Sequence, residues 1–379
     1  MNIENRISNI GLRSTKCEAL NTNKGPETPP AADLRQPETR ETMPEKKIPD
    51  DPQYYVSGVL ERNRRILAKT ITLIESSNPS HQDFSRVILD RLIPDTGKAV
   101  RVGVTGVPGV GKSTFIESFG MMLVEKGHRL AVLAVDPSSR RSGGSLMADK
   151  MRMEKLSVEE NAFIRPSPSG ATLGGVARKT REAMLVCEAA GFDVIIVETV
   201  GVGQSETEVS SMVDFFLVLM LAGAGDGIQG IKKGVLELAD AVAINKADGD
   251  NIDKAKNARK EYESALQLLI PATLTWTPPV LVCSSVEMTG ISEIWDIVLD
   301  HREKMTKSGE LGINREKQAV NWMWALVEEG LKERFHNNPD VKKLLSKITR
   351  DVEKGIKTPT VGAGELLFSL DKGRSVDKK

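Results

Sequence analysis

Residues 106–113 read GVPGVGKS, a complete phosphate-binding loop between an apolar run that ends at Val104 and a helix-capable segment that begins near Thr114. Glycines lack Cβ atoms, so consecutive backbone N–H groups of such a loop can curve around a polyphosphate. The following helix adds its N-terminal dipole, Lys112 adds an ammonium group, and the Ser113 hydroxyl is available to Mg²⁺. The motif predicts an α/β nucleotide-binding fold. The predicted nucleotide contacts are Gly106, Gly109, Val110, Gly111, Lys112, Ser113 and Thr114.

A second motif indicates which nucleotide base the site binds. Residues 245–248 read NKAD and follow the apolar run 241–244, which places them at the carboxyl edge of a parallel sheet. The Asp248 carboxylate can accept hydrogen bonds from two adjacent donors on guanine, whereas adenine would present an acceptor to it. Taken alone, the tetrapeptide also fits a polar turn in which Asp248 caps a helix. Together with the phosphate-binding loop it predicts GTP and GDP as ligands, bound through Asn245, Lys246 and Asp248.

A weaker signal for the same base lies farther along the chain. Residues 284–286 read SSV and follow the apolar run 280–283. This pattern resembles the loop that lies against guanine from its other side. We therefore add Ser284, Ser285 and Val286 to the predicted nucleotide contacts.

Acidic residues end two of the apolar runs. Asp136 and Glu198 are thereby delivered to the sheet edge that carries the phosphate-binding loop. Mg²⁺ keeps several waters and needs few oxygen ligands, so Ser113, one or two carboxylates and the phosphates suffice. Asp149 is the third acidic candidate, and Asp136 also fits a helix N-cap before a proline. The predicted metal ligands are Ser113, Asp136, Asp149 and Glu198.

The segment that begins at Glu198 has the pattern of a γ-phosphate sensor. Residues 198–204 read ETVGVGQ, so three positions after the carboxylate comes Gly201, whose N–H can meet the terminal phosphate. Such loops order with GTP and relax after hydrolysis. For catalysis we predict that Lys112 neutralises developing phosphate charge and that Glu198 orients Mg²⁺ or its water shell. No general base is unambiguous: Gln204 could position water, and it fits a polar loop residue equally well.

Apolar strands alternate with helical patterns from residue 100 to about residue 305, which is typical of βαβ units and a largely parallel sheet. The right-handed crossover rule places the loops after these strands on one rim, where all of these motifs fall. The fold class is therefore α/β, a P-loop NTPase, with its GTPase domain at residues 99–308. The predicted strands are 102–104, 130–136, 194–198, 215–221, 241–245 and 280–283.

The N-terminal part of the chain differs from this central domain. Residues 1–51 are rich in Pro, Thr, Asn, Glu and Lys without periodicity, which predicts disorder, with a transit peptide as the alternative. Apolar residues recur at helical spacing from residue 56 to residue 74, and a second short helix fits residues 84–92. We therefore predict an N-terminal helical region at residues 52–98.

The C-terminal part is helical as well. Val320, Met323, Trp324, Val327 and Leu331 repeat at helical spacing, and a similar pattern follows Pro339, which predicts an antiparallel hairpin. The amphipathic pattern by itself also fits packing of this hairpin on its own GTPase domain. We place the C-terminal helical region at residues 309–370 and a disordered tail at residues 371–379.

Composition excludes several classes of function. Lys and Arg number 52, as do Asp and Glu, so the net charge is zero and nothing indicates bulk attraction to nucleic acid or membrane. The apolar runs are too short to span a bilayer. The three cysteines and four histidines are scattered without the spacing of a disulfide framework or a metal site.

The motifs together resemble the MeaB/ArgK family. The order GVPGVGKST, VDPSS, DKMRM, RPSPSGATLGG, ETVGVGQSE and NKAD is similar to that of the G-protein chaperones of adenosylcobalamin-dependent methylmalonyl-CoA mutase, in the SIMIBI class of P-loop proteins. The resemblance covers about residues 54–370. Glu198 is its most diagnostic residue, because ordinary small GTPases carry aspartate there. Two stretches, 146–148 and 169–171, depart from the family pattern, and neither departure removes a predicted ligand.

The resemblance implies a function for regions that the motifs alone leave open. GTP binding and hydrolysis would license transfer of adenosylcobalamin from its adenosyltransferase to the mutase, and would protect or reactivate the mutase. Residues 226–234, DGIQGIKKG, resemble a third switch that couples the nucleotide site to the mutase. The C-terminal helices would form the arm of a homodimer, and hydrolysis would be slow alone and faster with the partner. The predicted switch residues are Gly201, Gln204, Gln229, Lys232 and Lys233.

Three other functions share parts of this pattern. A kinase of the ArgK type, acting on a transport binding protein, needs an acceptor site and a base that the sequence does not reveal. A nickel-insertion GTPase calls for clustered Cys and His ligands, and a signal-recognition GTPase for a Met-rich or basic RNA-binding domain. We predict a cytoplasmic GTPase, or one in the mitochondrial matrix if the N-terminal segment is a transit peptide.

Overall fold

A single parallel sheet organises the part of the chain that the computed structural model describes, which comprises residues 51–135, 153–166, 173–199, 205–223, 233–269 and 275–372. Seven strands of this part pair in the order β3-β2-β4-β1-β5-β6-β7, and every pair is parallel. The strands are β1 (Val100–Gly106), β2 (Leu130–Val135), β3 (Ala162–Arg165), β4 (Val194–Thr199), β5 (Phe215–Leu221), β6 (Ala241–Asn245) and β7 (Val280–Val282).

The strands are apolar along most of their length because both faces of the sheet are covered. β2 reads LAVLAV, and all six of its residues are buried. Two apolar clusters, one on each face, enclose the sheet. The predicted α/β fold class is confirmed, as are the six predicted strands. The prediction missed β3, which has only four residues and ends in a charged arginine.

Seven helices connect or flank these strands within the described ranges. They are α4 (Lys112–Glu125), α5 (Glu154–Val158), α6 (Leu173–Ala189), α7 (Ser205–Ser210), α8 (Lys233–Leu236), α9 (Ile252–Gln267) and α10 (Ile291–Ser308). The helix predicted after the phosphate-binding loop is α4. Because each crossover returns to a parallel strand, the carboxyl ends of the strands meet on one rim, as the motif positions require.

Three helices precede the sheet: α1 (Pro52–Leu60), α2 (Arg64–Ile74) and α3 (Pro79–Leu92). The prediction of one helix through residues 56–74 is wrong. The chain breaks at Arg62, whose φ of 64° is left-handed, and the Asn63 side chain then caps α2 by accepting from two backbone N–H groups. The second predicted helix begins earlier than expected, after an asparagine cap at Asn78.

The C-terminal region consists of α11 (Glu310–Asn337), α12 (Pro339–Glu353) and α13 (Pro359–Lys372). Gly309, at φ 80°, separates α10 from α11, and Asn338 caps α12. The first turns of α11 pack on the sheet domain, where Gln318 donates to the carbonyl of Val213 at 2.8 Å. Farther along α11 an apolar stripe is solvent-exposed. It consists of Val320, Met323, Trp324, Val327 and Leu331.

No helix in the described ranges is both long and apolar enough to cross a membrane. The predictions of disorder for residues 1–50 and 373–379 lie outside the described residues. Asp51 caps α1, and α13 continues to Lys372, two residues into the predicted tail.

Candidate nucleotide-binding site

The phosphate-binding loop joins the end of β1 to the start of α4. A Cβ on Gly106 would lie 2.4 Å from the carbonyl oxygen of Leu219 in β5, so only glycine fits there. Gly109 and Gly111 have φ values of 79° and 89°, the left-handed region that glycine adopts without strain. Val110 points into the core and is fully buried. The loop is thus anchored by one apolar side chain while its glycines shape the backbone.

Lys112 is the first residue of α4, and its ammonium group stays close to the loop. Its Nζ donates a hydrogen bond of 2.7 Å to the carbonyl of Gly106. Burial lowers the pKa of Lys112, and the negative charges of Glu198 and Glu206 oppose that shift. A partly desolvated cation beside a backbone loop binds phosphate more strongly than one in water. Ser113 and Thr114 follow in the first turn of α4, half-buried and exposed respectively.

Asn245 ties the base-recognition loops to the phosphate-binding loop. Its Nδ2 donates to the carbonyl of Val110 at 2.9 Å. Its Oδ1 accepts from the Ser285 hydroxyl at 2.9 Å and from the Ser285 N–H at 3.3 Å. Ser118 of α4 closes the connection, because its hydroxyl donates to the carbonyl of Ser285 at 2.6 Å. The two parts of the predicted site therefore form one hydrogen-bonded unit.

Asp248 is held by the second base-recognition loop. The Ser284 hydroxyl donates to Asp248 Oδ2 at 2.6 Å and itself accepts from the N–H of Glu287 at 3.1 Å. Asp248 precedes a 3-10 turn but makes no side-chain capping bond to it, which argues against the helix-cap interpretation. Lys246, at φ 59°, is exposed, and so is Val286. The Ser284 hydroxyl thus fixes the Asp248 carboxylate at the end of the loop.

Glu198 stands at the end of β4, level with Val104 of β1 and Ala134 of β2. It is buried, with 6% of its surface exposed. Its charge acts on Lys112, so it lies at the phosphate end of the site. Six other predicted residues lie outside the described ranges: Asp136, Asp149, Gly201, Gln204, Gln229 and Lys232. Lys233 is the first residue of α8, and its side chain is not described.

Three contacts of this region were not predicted. The buried hydroxyls of Thr105 and Thr199 lie 2.8 Å apart and join the ends of β1 and β4. Ser118 supplies the contact to Ser285 described above. Glu206, which is 4% exposed, is a second carboxylate whose charge raises the pKa of Lys112. Glu206 is the last letter of ETVGVGQSE, so the motif contained its signal, whereas the other two contacts have none in their spacing.

The comparison with known families decides the assignment of the chain. The family model described as "Methylmalonyl Co-A mutase-associated GTPase MeaB" matches residues 67–340. The chain belongs to the MeaB family. The resemblance of its motifs to MeaB/ArgK proteins is thereby confirmed.

Two curated relatives of this MeaB family member come from a bacterium and from the mouse. GTPase ArgK of Escherichia coli is 48% identical over 303 residues, which cover 80% of this chain and 92% of the relative. The methylmalonic aciduria type A homolog, mitochondrial, of Mus musculus is 45% identical over 328 residues, covering 84% of this chain and 79% of the relative. Accordingly, the chain is a GTPase that binds guanine nucleotide.

A solved structure supports the fold of this MeaB protein over most of its length. The crystal structure of an LAO/AO transport system kinase superposes with a TM-score of 0.68 at 42% sequence identity. The match covers 84% of this chain and 97% of that chain. The fold is therefore shared with that protein over most of this chain and nearly all of the other.

Proposed function

We propose that this GTPase acts as a chaperone of an adenosylcobalamin-dependent acyl-CoA mutase, methylmalonyl-CoA mutase or a close relative of it. The observation that carries the proposal is the match to a family described as mutase-associated, over residues 67–340. The name of the mouse relative, "Methylmalonic aciduria type A homolog, mitochondrial", also contains the word methylmalonic. In this function, GTP binding and hydrolysis gate the loading of adenosylcobalamin from its adenosyltransferase and protect or reactivate the mutase.

The described residues have distinct roles in nucleotide binding under this proposal. The loop glycines present backbone N–H groups to the phosphates, and Lys112 neutralises the charge that develops during transfer. Asp248, fixed by Ser284, accepts from the guanine, and Asn245 keeps the base loops in register with the phosphate loop. Glu198 orients Mg²⁺ or its water shell.

The donor set fits Mg²⁺. Ser113 offers a hydroxyl in the first turn of α4, and Glu198 offers a buried carboxylate near Lys112; both are hard oxygen donors. Mg²⁺ held there would neutralise negative charge on the nucleotide phosphates. Asp136 and Asp149 remain predicted ligands from sequence.

The exposed stripe of α11 supports a homodimer. Trp324 is 57% exposed and Met323 is 50% exposed, and contiguous apolar surface of this kind marks interaction sites. We propose that two copies of the chain pair through their C-terminal helices. The proposed location is the cytoplasm, with the mitochondrial matrix as the alternative. Replacing Trp324 by Glu should give monomers in light scattering, whereas Lys332→Glu, a change at an exposed position of the same helix, should not.

A capture experiment tests the chaperone function. The full chain, loaded with a non-hydrolysable GTP analogue, is used to retain proteins from native extract, and the retained fraction is assayed for cobalamin and mutase activity. A retained partner without cobalamin chemistry would defeat the proposal. With purified mutase, Lys232→Ala should keep the intrinsic hydrolysis rate but lose most of the acceleration, if residues 226–234 are the coupling switch.

A kinase function is the second candidate, because the solved structure at 42% identity carries the name of a transport system kinase. A kinase would transfer the γ-phosphoryl group to a protein side chain. Incubation with labelled GTP and the matching periplasmic binding protein distinguishes the two, since only a kinase would label that protein.

A further inference from the structure

Ser118 of α4 makes a contact that the fold of its helix does not require. Its hydroxyl donates to the backbone carbonyl of Ser285 at 2.6 Å, across 167 residues of sequence. Serine and threonine inside a helix often bond to a carbonyl of the preceding turn, as Thr180 does in α6 at 2.9 Å. Ser118 instead ties α4, which continues from the phosphate-binding loop, to the second base-recognition loop, residues 284–287.

The backbone N–H groups of this second loop are mostly used within the protein. The N–H of Ser284 donates to a backbone carbonyl farther along the chain at 2.9 Å. The N–H of Ser285 donates to Asn245 Oδ1 at 3.3 Å, and that of Glu287 donates to the hydroxyl of Ser284 at 3.1 Å. The Val286 N–H has no acceptor among the described residues, and Val286 is 78% exposed. The loop thus has one backbone donor to offer to a ligand.

Ser118 sets the direction of that donor. A trans peptide is planar, so the carbonyl of one residue and the N–H of the next residue point in opposite directions. The peptide bonds of the described residues are all trans. Because Ser118 holds the Ser285 carbonyl toward α4, the Val286 N–H is held pointing away from that helix. The same loop fixes Asp248, since the Ser284 hydroxyl donates to Asp248 Oδ2 at 2.6 Å.

We propose that Ser118 is a positioning residue for guanine recognition, which holds the Ser285–Val286 peptide so that the Val286 N–H donates to the oxygen at position 6 of the base. The inference rests on the assignment of Asp248 and residues 284–286 to the base site. Guanine carries an acceptor at position 6, where adenine carries a donor. An N–H at this position therefore rejects adenine independently of Asp248, because the buried donors would face each other unpaired.

The test compares the affinities of GDP, 6-thio-GDP and IDP for the full chain by calorimetry. In 6-thio-GDP only the oxygen at position 6 is replaced, by sulfur, which is a weaker acceptor, whereas IDP lacks only the 2-amino group assigned to Asp248. The wild-type protein should bind GDP more tightly than either analogue. Ser118→Ala should weaken GDP and IDP by the same factor, roughly fivefold, the usual effect of one hydrogen bond, and 6-thio-GDP by less than about twofold.

Matched variants separate the Ser118 hydroxyl from its surroundings. Ser118→Thr keeps the hydroxyl, and Ser118→Val has the same shape without it, so only the Val variant should lose the preference for GDP over 6-thio-GDP. Lys126→Met removes another side-chain contact from the end of α4, in which Lys126 Nζ donates to the Ser292 hydroxyl at 3.1 Å. This control variant should bind all three nucleotides as the wild type does.

The pattern of losses distinguishes positioning of the base from a structural role. If Ser118 only stabilises the two loops, Ser118→Ala will weaken all three nucleotides by one factor, and that result overturns the proposal. Equal binding of GDP and 6-thio-GDP by the wild-type protein also overturns it, and this comparison stands even if the Ala and Val variants fail to fold. Wild-type protein that binds ADP as tightly as GDP would show that the base site itself is misassigned. A failure confined to the Ser118 variants leaves the base site and the proposed function standing.

Discussion

The Ser284 hydroxyl lies 2.6 Å from Asp248 Oδ2, a contact that joins two loops 36 residues apart in sequence. Because this bond occupies one lone pair of the carboxylate, it restricts the orientation of the remaining lone pairs. Asn245 extends the same connection to Val110 of the phosphate-binding loop. The residues predicted to bind the base and those predicted to bind the phosphates therefore share one hydrogen-bonded framework.

Asp248→Asn should change the preferred base. The amide presents a donor where the carboxylate accepted, so GTP binding should weaken and xanthosine triphosphate, which carries an oxygen in place of the guanine amino group, should bind better. A site built on paired hydrogen bonds discriminates by roughly 10⁴-fold or more. Calorimetric titration of both nucleotides measures the exchange of preference. If the wild-type protein binds ATP as tightly as GTP, the assignment of Asp248 is wrong.

Glu198→Ala should lower hydrolysis more than it lowers GDP binding. In the proposed mechanism the carboxylate acts near the γ-phosphate and not at the base, so its loss would remove orientation of Mg²⁺ or its water shell during transfer. We expect a decrease of roughly 10- to 100-fold in single-turnover hydrolysis, the usual range for groups that orient metal sites. Equal losses in hydrolysis and in GDP affinity would show instead that Glu198 serves the fold of the loop.

Local patterns predicted most strands of the sheet, but they did not predict the contacts that hold the candidate site together. Strands such as β2 could be predicted from their continuous apolar sequence, because a strand that is buried on both faces of the sheet has no polar positions. β3 escaped detection because it has four residues and its last one, Arg165, is paired with Glu75, the C-cap residue of α2, an interaction across 90 residues. The break at Arg62 depends on a left-handed backbone that leaves no periodic trace.

Long-range contacts could not be inferred from spacing at all. Ser118 and Ser285 are 167 residues apart, and neither belongs to a motif that names the other. The same holds for Thr105 and Thr199, whose hydroxyls meet only because β1 and β4 are neighbours. Such contacts follow from strand order, which the sequence alone leaves undetermined.

The stability of the protein should depend weakly on pH between about 4 and 6.5, as far as Asp240 and His301 are concerned. Asp240 Oδ1 lies 3.8 Å from His301 Nε2, and the Asp240 side chain is 25% exposed whereas that of His301 is 3% exposed. Burial, helped by Asp214, raises the pKa of Asp240 from 3.8 to about 7, against a backbone hydrogen bond from Phe216. Burial lowers the pKa of His301 from 6.5 to about 4, against nearby carboxylates. As pH rises through this window, the contribution of Asp240 to stability falls and that of His301 grows, so the two changes oppose each other.

Single variants of Asp240 and His301 should show separately the two opposing changes of unfolding free energy with pH. Asp240→Asn leaves the His301 contribution, so the free energy of unfolding should rise between pH 4 and 6.5, by up to about 3 kcal/mol. His301→Gln leaves the Asp240 contribution, so the same quantity should fall. Urea unfolding at several pH values measures both. Parallel curves for the two variants would mean that these side chains do not titrate as the structure indicates.

Arg315→Met should destabilise the attachment of α11. The Arg315 guanidinium donates to both carboxylate oxygens of Asp214, each at 2.7 Å, and to the carbonyl of Ala99 at 2.8 Å. Asp214 is 4% exposed, so losing its partner leaves a buried charge, which costs about 3–5 kcal/mol. Lys317→Met, an exposed position on the same helix, should change the free energy of unfolding by less than about 0.5 kcal/mol. The double variant Asp214→Asn with Arg315→Met should recover part of the loss, since no unpaired charge remains. If thermal unfolding shows equal effects for the Arg315 and Lys317 variants, the ion pair does not anchor the helix.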